Sequence, residues 1–285
     1  MNNIIDLHLH STSSDGIYNS SELVRIAAES QITVIAIADH DSVDSIDEAI
    51  SAAAEFGITV IPAVELSVEY AKYHDVHILG YWINHTDPAF VKMLSLFRQT
   101  RESRGVKVIA KINVKLESEG RAPIGVGEVM ALAEGALGRP HIARILIEKG
   151  YCATMQDAFT NYLQPCNVPK EYLPFEDAVR EIIRIGGVPV LAHPQSISRN
   201  REELTTIIRD MSQKGLGGLE AFNTMGFEGD TEFLQHLADY LGLAVTGGSD
   251  FHGSEEGLLM GKGRGNLHIT SEILDTLVKK RPARL

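Results

Sequence analysis

The chain has 285 residues, 44% hydrophobic and 22% charged, with a formal net charge of −12. This is the composition of an ordinary globular protein and excludes a fibrous, collagen-like or largely disordered chain. The acidic balance argues against a generic nucleic-acid coat, although bound metal ions can reverse the sign locally. In chain order, Ile4–Leu9 reads as a strand, and Ser20 to about Ser30 as an amphipathic helix opened by small polar residues and Glu22. Thr33–Ala38 is a buried apolar strand, and Asp44–Phe56 is a helix stopped by Gly57. Ile58–Val64 and Val76–Tyr81 follow as strands. From Pro88 to about Leu163 the pattern is wholly helical, with segments to about Glu119, Val126–Glu134, Pro140–Lys149 and Thr154–Leu163. Alternation of strand and helix resumes at Glu176, with short strands at Val188–Ala192, Gly218–Ala221 and Leu243–Thr246. Helices between strands imply parallel pairing by right-handed crossovers, and the number of units favours an α/β barrel over a Rossmann sheet. The expected division is a barrel of residues 1–87 and 164–285 with an inserted helical cap of residues 88–163.

No apolar run reaches the ~20 residues that span a bilayer. The first residues place no basic segment before an apolar one. Cys152 and Cys166 suit neither a disulfide framework nor a zinc motif. A reduced, cytoplasmic protein without membrane contact or an obligate protein partner is expected. Charge is uneven: Lys92–Lys115 holds seven bases against Glu102 alone, a net +6 that leaves −18 for the rest. That stretch could attract polyanions, although a solvated helical face is the plainer reading.

Ionisable residues gather at strand ends: Asp6-Leu7-His8-Leu9-His10, Asp39-His40-Asp41, Glu65, His77, His193, and Ser249-Asp250-Phe251-His252. The C-terminal strand ends of an α/β barrel form its catalytic face. Residues i and i+2 of a strand point the same way, so His8 pairs with His10, as does Asp250 with His252 if the chain stays extended. Burying so many ionisable groups without a compensating ion would cost several kcal/mol each. Imidazole and carboxylate together suit zinc, manganese or iron.

His8-Leu9-His10-Ser11-Thr12-Ser13-Ser14-Asp15-Gly16, Ala38-Asp39-His40-Asp41, Ala192-His193-Pro194 and Gly248-Ser249-Asp250-Phe251-His252 resemble the motifs of the PHP (polymerase and histidinol phosphatase) phosphoesterases. The resemblance implies a distorted (β/α)7 TIM-like barrel and two to three divalent ions, manganese first, with iron or zinc as alternatives. It implies one ion on His8, His10, Glu65 and Asp250, a second on Glu65, His77 and His193, and a third on Asp15, His40 and His252. His74 competes with His77, but the following Ile78-Leu79-Gly80-Tyr81 favours His77. Asp250 is the expected proton acceptor, and His193 or His252 the group assisting the leaving oxygen.

Gly138-Arg139-Pro140-His141-Ile142-Ala143-Arg144, Tyr162-Leu163 and Pro169-Lys170 further resemble the cap of the branch that acts on nucleotides, the bisphosphate nucleotide phosphatases and a related 5′-to-3′ exoribonuclease. Arg139 at a helix start makes an anion site on general grounds. Arg139 and Lys170 are thus expected to bind a second phosphate, with His141 and Asn223 as further substrate contacts. The expected substrate is a small nucleotide, typically a 3′,5′-bisphosphate giving an AMP-like product, or a short 5′-phosphorylated RNA or DNA. The alternatives are a histidinol-phosphate-type phosphatase, a carbon–nitrogen hydrolase on the wider fold, and a noncatalytic PHP metal-binding module.

Overall fold

The computed structural model describes residues 3–132, 137–169, 172–227 and 229–282, with the side chain of Arg101 excepted. Nine strands and ten α-helices follow one another along these residues. The first part runs β1 (Ile4–Leu9), α1 (Ser20–Glu29), β2 (Ile32–Ile37), α2 (Ile46–Phe56), β3 (Thr59–Val60), β4 (Ala63–Tyr70) and β5 (Tyr73–Tyr81). Helices α3 (Pro88–Ser118), α4 (Val126–Leu132), α5 (Arg139–Glu148) and α6 (Met155–Ala158) then occur without an intervening strand, and a π-helical turn, Phe159–Leu163, continues the last. The chain closes with β6 (Leu173–Pro174), α7 (Phe175–Arg184), β7 (Val188–Leu191), α8 (Arg201–Gln213), β8 (Gly218–Phe222), α9 (Asp230–Leu241), β9 (Ala244–Gly247) and α10 (Leu274–Val278).

Local chemistry explains the boundaries. Asn19 caps α1: its side chain accepts from the Glu22 amide at 2.8 Å, and the Glu22 carboxylate accepts from the Asn19 amide at 2.9 Å. Gly57 ends α2 with φ 67°, as its position predicts. Asp87 accepts from the Phe90 amide at 2.9 Å, and Pro88 occupies the first turn of α3. In α7 the buried positions Phe175, Ala178, Val179 and Ile182 follow the helical period and form one apolar stripe. Strand β7 is buried at all four positions, as its unbroken apolar run requires.

The strands form two sheets, not one closed ladder. One is parallel, in the order β1-β2-β3; the other has the order β6-β4-β5-β7-β8-β9. Two isolated bridges connect the sheets: Leu9–Phe251 joins the end of β1 to the segment after β9, and His40–Glu65 joins the segment after β2 to β4. The expectation of parallel pairing needs correction at β5, which is antiparallel to both β4 and β7. No helix separates β4 from β5, so the chain reverses in a tight turn. Ala71 there takes φ 51°. The strand expected over Ile58–Val64 is divided between β3 and β4. Pro62, which lacks the amide a ladder needs, stands at the break.

Apolar packing separates in the same way. Val64, Val68, Ile78, Phe90, Phe175 and Leu219 belong to a core between sheet and helices. Val108, Ile112, Leu116, Leu146 and Leu163 belong to another core, drawn wholly from residues 108–168.

Candidate metal centre

His8 and His10 are completely buried at the end of β1, with their Nε2 atoms 3.1 Å apart. Glu65, also completely buried, stands in the middle of the cluster. Its Oε1 lies 3.4 Å from His8 Nε2, 2.9 Å from His77 Nδ1 and 3.2 Å from His193 Nε2. Its Oε2 lies 3.4 Å from His10 Nε2 and 2.9 Å from His40 Nδ1. Asp250 Oδ1 adds a second carboxylate, 3.1 Å from His10 Nε2 and 3.6 Å from His8 Nε2. Asp15 adds a third, 3.2 Å from His252 Nε2 through one oxygen and 3.9 Å from His40 Nε2 through the other. All nine residues singled out in the sequence as ligands therefore meet in one place. His74 does not: its side chain is 61% exposed and lies near Glu69.

The subgroups differ from the expected partition. Donor atoms gather as His10-Asp15-His40-His252, as His8-His10-Glu65 and as His40-Glu65-His77, within 4.8 Å in each group. His10 and His40 thus each face two groups. Asp250 and His252 do not share a direction through extended chain. Strand β9 ends at Gly247, Asp250 turns left-handed with φ 55°, and the Asp250 carbonyl lies 2.9 Å from His252 Nδ1. His193 is also left-handed, with φ 25°. Such angles cost of order 1–3 kcal/mol each and persist where the surroundings over-determine them.

The donor set fits divalent ions. Asp15 Oδ1, His40 Nδ1 and Glu65 Oε2 are buried without hydrogen-bond partners, although the last two are only 2.9 Å apart. An orphaned buried acceptor costs about 1–3 kcal/mol, and a shared cation removes that cost. Electrostatics show the same tension. Burial disfavours charge on His8, but Glu220, Glu65 and Asp250 outweigh it and raise its pKa well above 6.5. Burial likewise opposes protonation of His77 and His252, yet Glu65 and Asp75 push the first up to about 9. Asp15 and Asp250 push the second up to about 10. His10 falls to about 4 under burial and the neighbouring His252 and His40. Burial works against ionised Glu65, but His77, His40 and His8 hold it well below the usual carboxylate range.

Three buried carboxylates to which the sequence analysis gives no role hold these candidate ligands in place. Glu220, in the middle of β8, sits 2.9 Å from His8 Nδ1 and accepts from the His193 amide at 2.7 Å. Outer carboxylates of this kind fix the ring orientation of metal-binding histidines. Asp39 accepts from the Ser11 amide and from the hydroxyls of Ser11, Ser14 and Ser45, tying the Ser11–Asp15 loop to β2. Asp6 accepts from the amides of Ser249 and Gly261 and from the Ser249 hydroxyl, fixing the loop that carries Asp250. For Glu220 the signal available in sequence is a lone acid in an apolar strand, Gly218-Leu219-Glu220-Ala221-Phe222, whereas Asp6 and Asp39 stand inside the His-containing motifs themselves. Gly248 completes the frame: a Cβ there would lie 2.2 Å from the Cβ of His8.

A cleft beside these ligands is lined by Asp15, His40, Asp75, His77, Arg104 and Arg139, among others. Arg139 opens α5 and donates to Asp75 Oδ2 at 3.1 Å. Its guanidinium also lies 5.7 Å from the centre of the Phe159 ring. Arg104, from the basic helix α3, donates to the Val168 carbonyl at 2.7 Å and to Asn167 at 2.8 Å. Arg144 donates to the Asp15 carbonyl at 3.0 Å and so ties α5 to the ligand loop. Other expected substrate contacts are placed differently. His141 is buried and accepts from the Gly138 amide at 3.0 Å, a helix-capping position. Asn223 is buried too; its amide group donates to Gln195 and to the Glu220 carbonyl, and its oxygen accepts from the Met225 amide. Both amide protons are spent on the frame, which leaves none for a base. Lys170 lies outside the described residues.

Comparison with known proteins identifies the family. The PHP domain model matches residues 6–122. A 3′,5′-nucleoside bisphosphate phosphatase of Chromobacterium violaceum is 34% identical over 258 residues, covering 89% of this chain and 88% of the relative. A 5′-3′ exoribonuclease of Haemophilus influenzae is 33% identical over 250 residues, covering 87% and 89%. A crystal structure from Bifidobacterium adolescentis, assigned as a metal-dependent phosphoesterase, superposes with a TM-score of 0.84 at 26% identity, covering 98% of this chain and 96% of that one. Matched by relatives of this kind across most of its length, the chain belongs to the PHP-domain family and is a metal-dependent phosphoester hydrolase.

Proposed function

We propose that the substrate is a nucleotide carrying two phosphates, most simply a 3′,5′-bisphosphate that loses its 3′-phosphate, or the 5′-phosphorylated end of a short oligonucleotide. The observation that carries this reading is the cleft in which His77, His40 and Asp15 share walls with Arg139 and Arg104. One end can hold a reacting phosphate and the other a second anion. The two relatives named above act, by their names, on a nucleoside bisphosphate and on RNA from its 5′ end.

Two to three divalent ions, manganese first, would be held by His8, His10, Asp15, His40, Glu65, His77, His193, Asp250 and His252. They supply Lewis acidity at the phosphoryl oxygens and an activated water at neutral pH. Glu65 faces five imidazoles and would help to hold more than one ion. Asp250, on a left-handed turn at the edge of the cluster, takes the proton of the attacking water. His193 and His252 are the candidates for protonating the leaving oxygen. Arg139 anchors the second phosphate, so binding energy away from the reacting bond orients the ester. The self-contained core of residues 108–168 supports reading residues 88–163 as a cap over residues 1–87 and 164–285. The bridges between the two sheets support a distorted barrel beneath it.

The manganese-loaded protein should hydrolyse a 3′,5′-bisphosphate nucleotide and a short 5′-phosphorylated RNA in preference to histidinol phosphate. Faster turnover of histidinol phosphate would overturn the reading. Arg139→Ala should lower kcat/KM for the bisphosphate by about 10- to 100-fold and spare a simple monophosphate ester. Equal losses on both would make Arg139 a structural residue.

A further inference from the structure

Strand β5 carries an irregularity beside the metal centre. Its ladder with β4 pairs Val68 with Val76 and Tyr70 with Tyr73, so β5 has one residue more than β4 between these pairs. Asp75 lies in this bulge with φ 62°, a left-handed angle that is costly for a residue with a side chain. Bulges re-aim side chains and recur next to active sites. Here the bulge presents the two oxygens of one carboxylate to two different partners. Oδ2 accepts from Arg139 at 3.1 Å, and Oδ1 stands 3.8 Å from Nε2 of His77, whose Nδ1 faces Glu65. Asp75 and Arg139 both line the cleft, and their side chains are 36% and 33% exposed.

We propose that Asp75 is a specificity-determining residue that occupies the cap's arginine until an anion replaces it. The inference rests on the reading of Arg139 as the anchor of the second phosphate. Without that phosphate, Arg139 is neutralised by Asp75. A dianionic group entering the cleft competes with the Asp75 carboxylate for the guanidinium. A monophosphate ester has no group with which to compete and leaves the pair closed. The carboxylate therefore weakens the capture of stray single anions, and a bisphosphate overcomes it because its other phosphate is already held at the metal ligands.

The test uses sulfate as the probe, titrated calorimetrically into the manganese-loaded protein. Asp75→Asn keeps an acceptor oxygen for His77, tolerates the left-handed backbone and removes the charge that holds Arg139. Sulfate should bind this variant about two- to fivefold more tightly than the wild type, the range for a partly exposed ion pair. The gain should vanish when Arg139→Ala is added. Unchanged or weaker sulfate binding in Asp75→Asn would overturn the proposal. A gain that survives in the double variant would also overturn it, because the lost charge would then act on the metal centre and not through Arg139. Failure of the substrate reading is seen separately, in the bisphosphate-to-monoester ratio of Arg139→Ala alone.

Discussion

At Asp250, the proposed metal-holding and proton-accepting roles coincide. Its carboxylate lies 3.1 Å from His10, and its turn is held by Asp6 through Ser249. Asp250→Asn preserves shape and removes the charge that both accepts a proton and attracts an ion. Turnover should fall by about 10²- to 10⁴-fold while the fold is kept. A steady-state assay at saturating manganese checks this, and a near wild-type rate would remove Asp250 from the chemistry. The ligand histidines also set how metal uptake depends on pH. A ligating imidazole must be neutral. In the metal-free protein His77 holds its proton up to about 9 and His252 up to about 10, both above the ordinary 6.5. Their pairing with carboxylates stabilises the metal-free fold fully below pH 6.5 and is lost as pH rises through 9 to 10. Manganese affinity should accordingly rise with pH up to that window. Binding near pH 7.5 should release about three protons per chain, one each from His77, His252 and His8, whose pKa is also held well above 6.5, measurable by calorimetry in buffers of different ionisation enthalpy. Uptake without proton release would contradict this account of the cluster.

Elements bring these residues together by fixing loops at strand ends. The loop after β9 approaches β1 so closely that only a residue without a side chain fits at position 248, where a Cβ would also stand 2.5 Å from the His8 amide nitrogen. Gly248→Ala must therefore push β1 and this loop apart. It should cost about 1–3 kcal/mol in denaturant unfolding and weaken manganese binding, because His8 and Asp250 separate. Unaltered stability and metal binding would mean that the two segments yield freely. At this scale the sequence is legible in part. His8, His10, His40, His193 and Asp250 announce themselves because each lies at or just beyond the end of a strand, whereas Glu65, expected after a strand ending at Val64, lies inside β4. The orienting bonds do not: Asp6 meets Ser249 and Gly261, residues more than 240 positions away. The left-handed turn at Asp250 and the bulge at Asp75 are also hidden, since neither position carries the glycine that usually marks such angles. The antiparallel β4–β5 pair is hidden as well, because its turn, Ala71-Lys72, lacks the usual hairpin residues.

For the whole molecule, a net charge of −12 is compatible with a phosphate substrate only where ions and arginines reverse it locally. Clustering eight ionisable side chains around Glu65 without cations would leave Asp15, His40 and Glu65 with orphaned buried atoms. The architecture, two sheets bridged at that cluster with a separately cored helical segment beside it, brings these side chains together and keeps a cleft lined by Arg104 and Arg139 next to them. The most direct test of this account is the metal content of the manganese-reconstituted protein, measured by elemental analysis after removal of free ion. Two to three ions per chain are predicted, with activity lost as a chelator strips them. One ion or none in protein that remains folded and active would contradict the central claim.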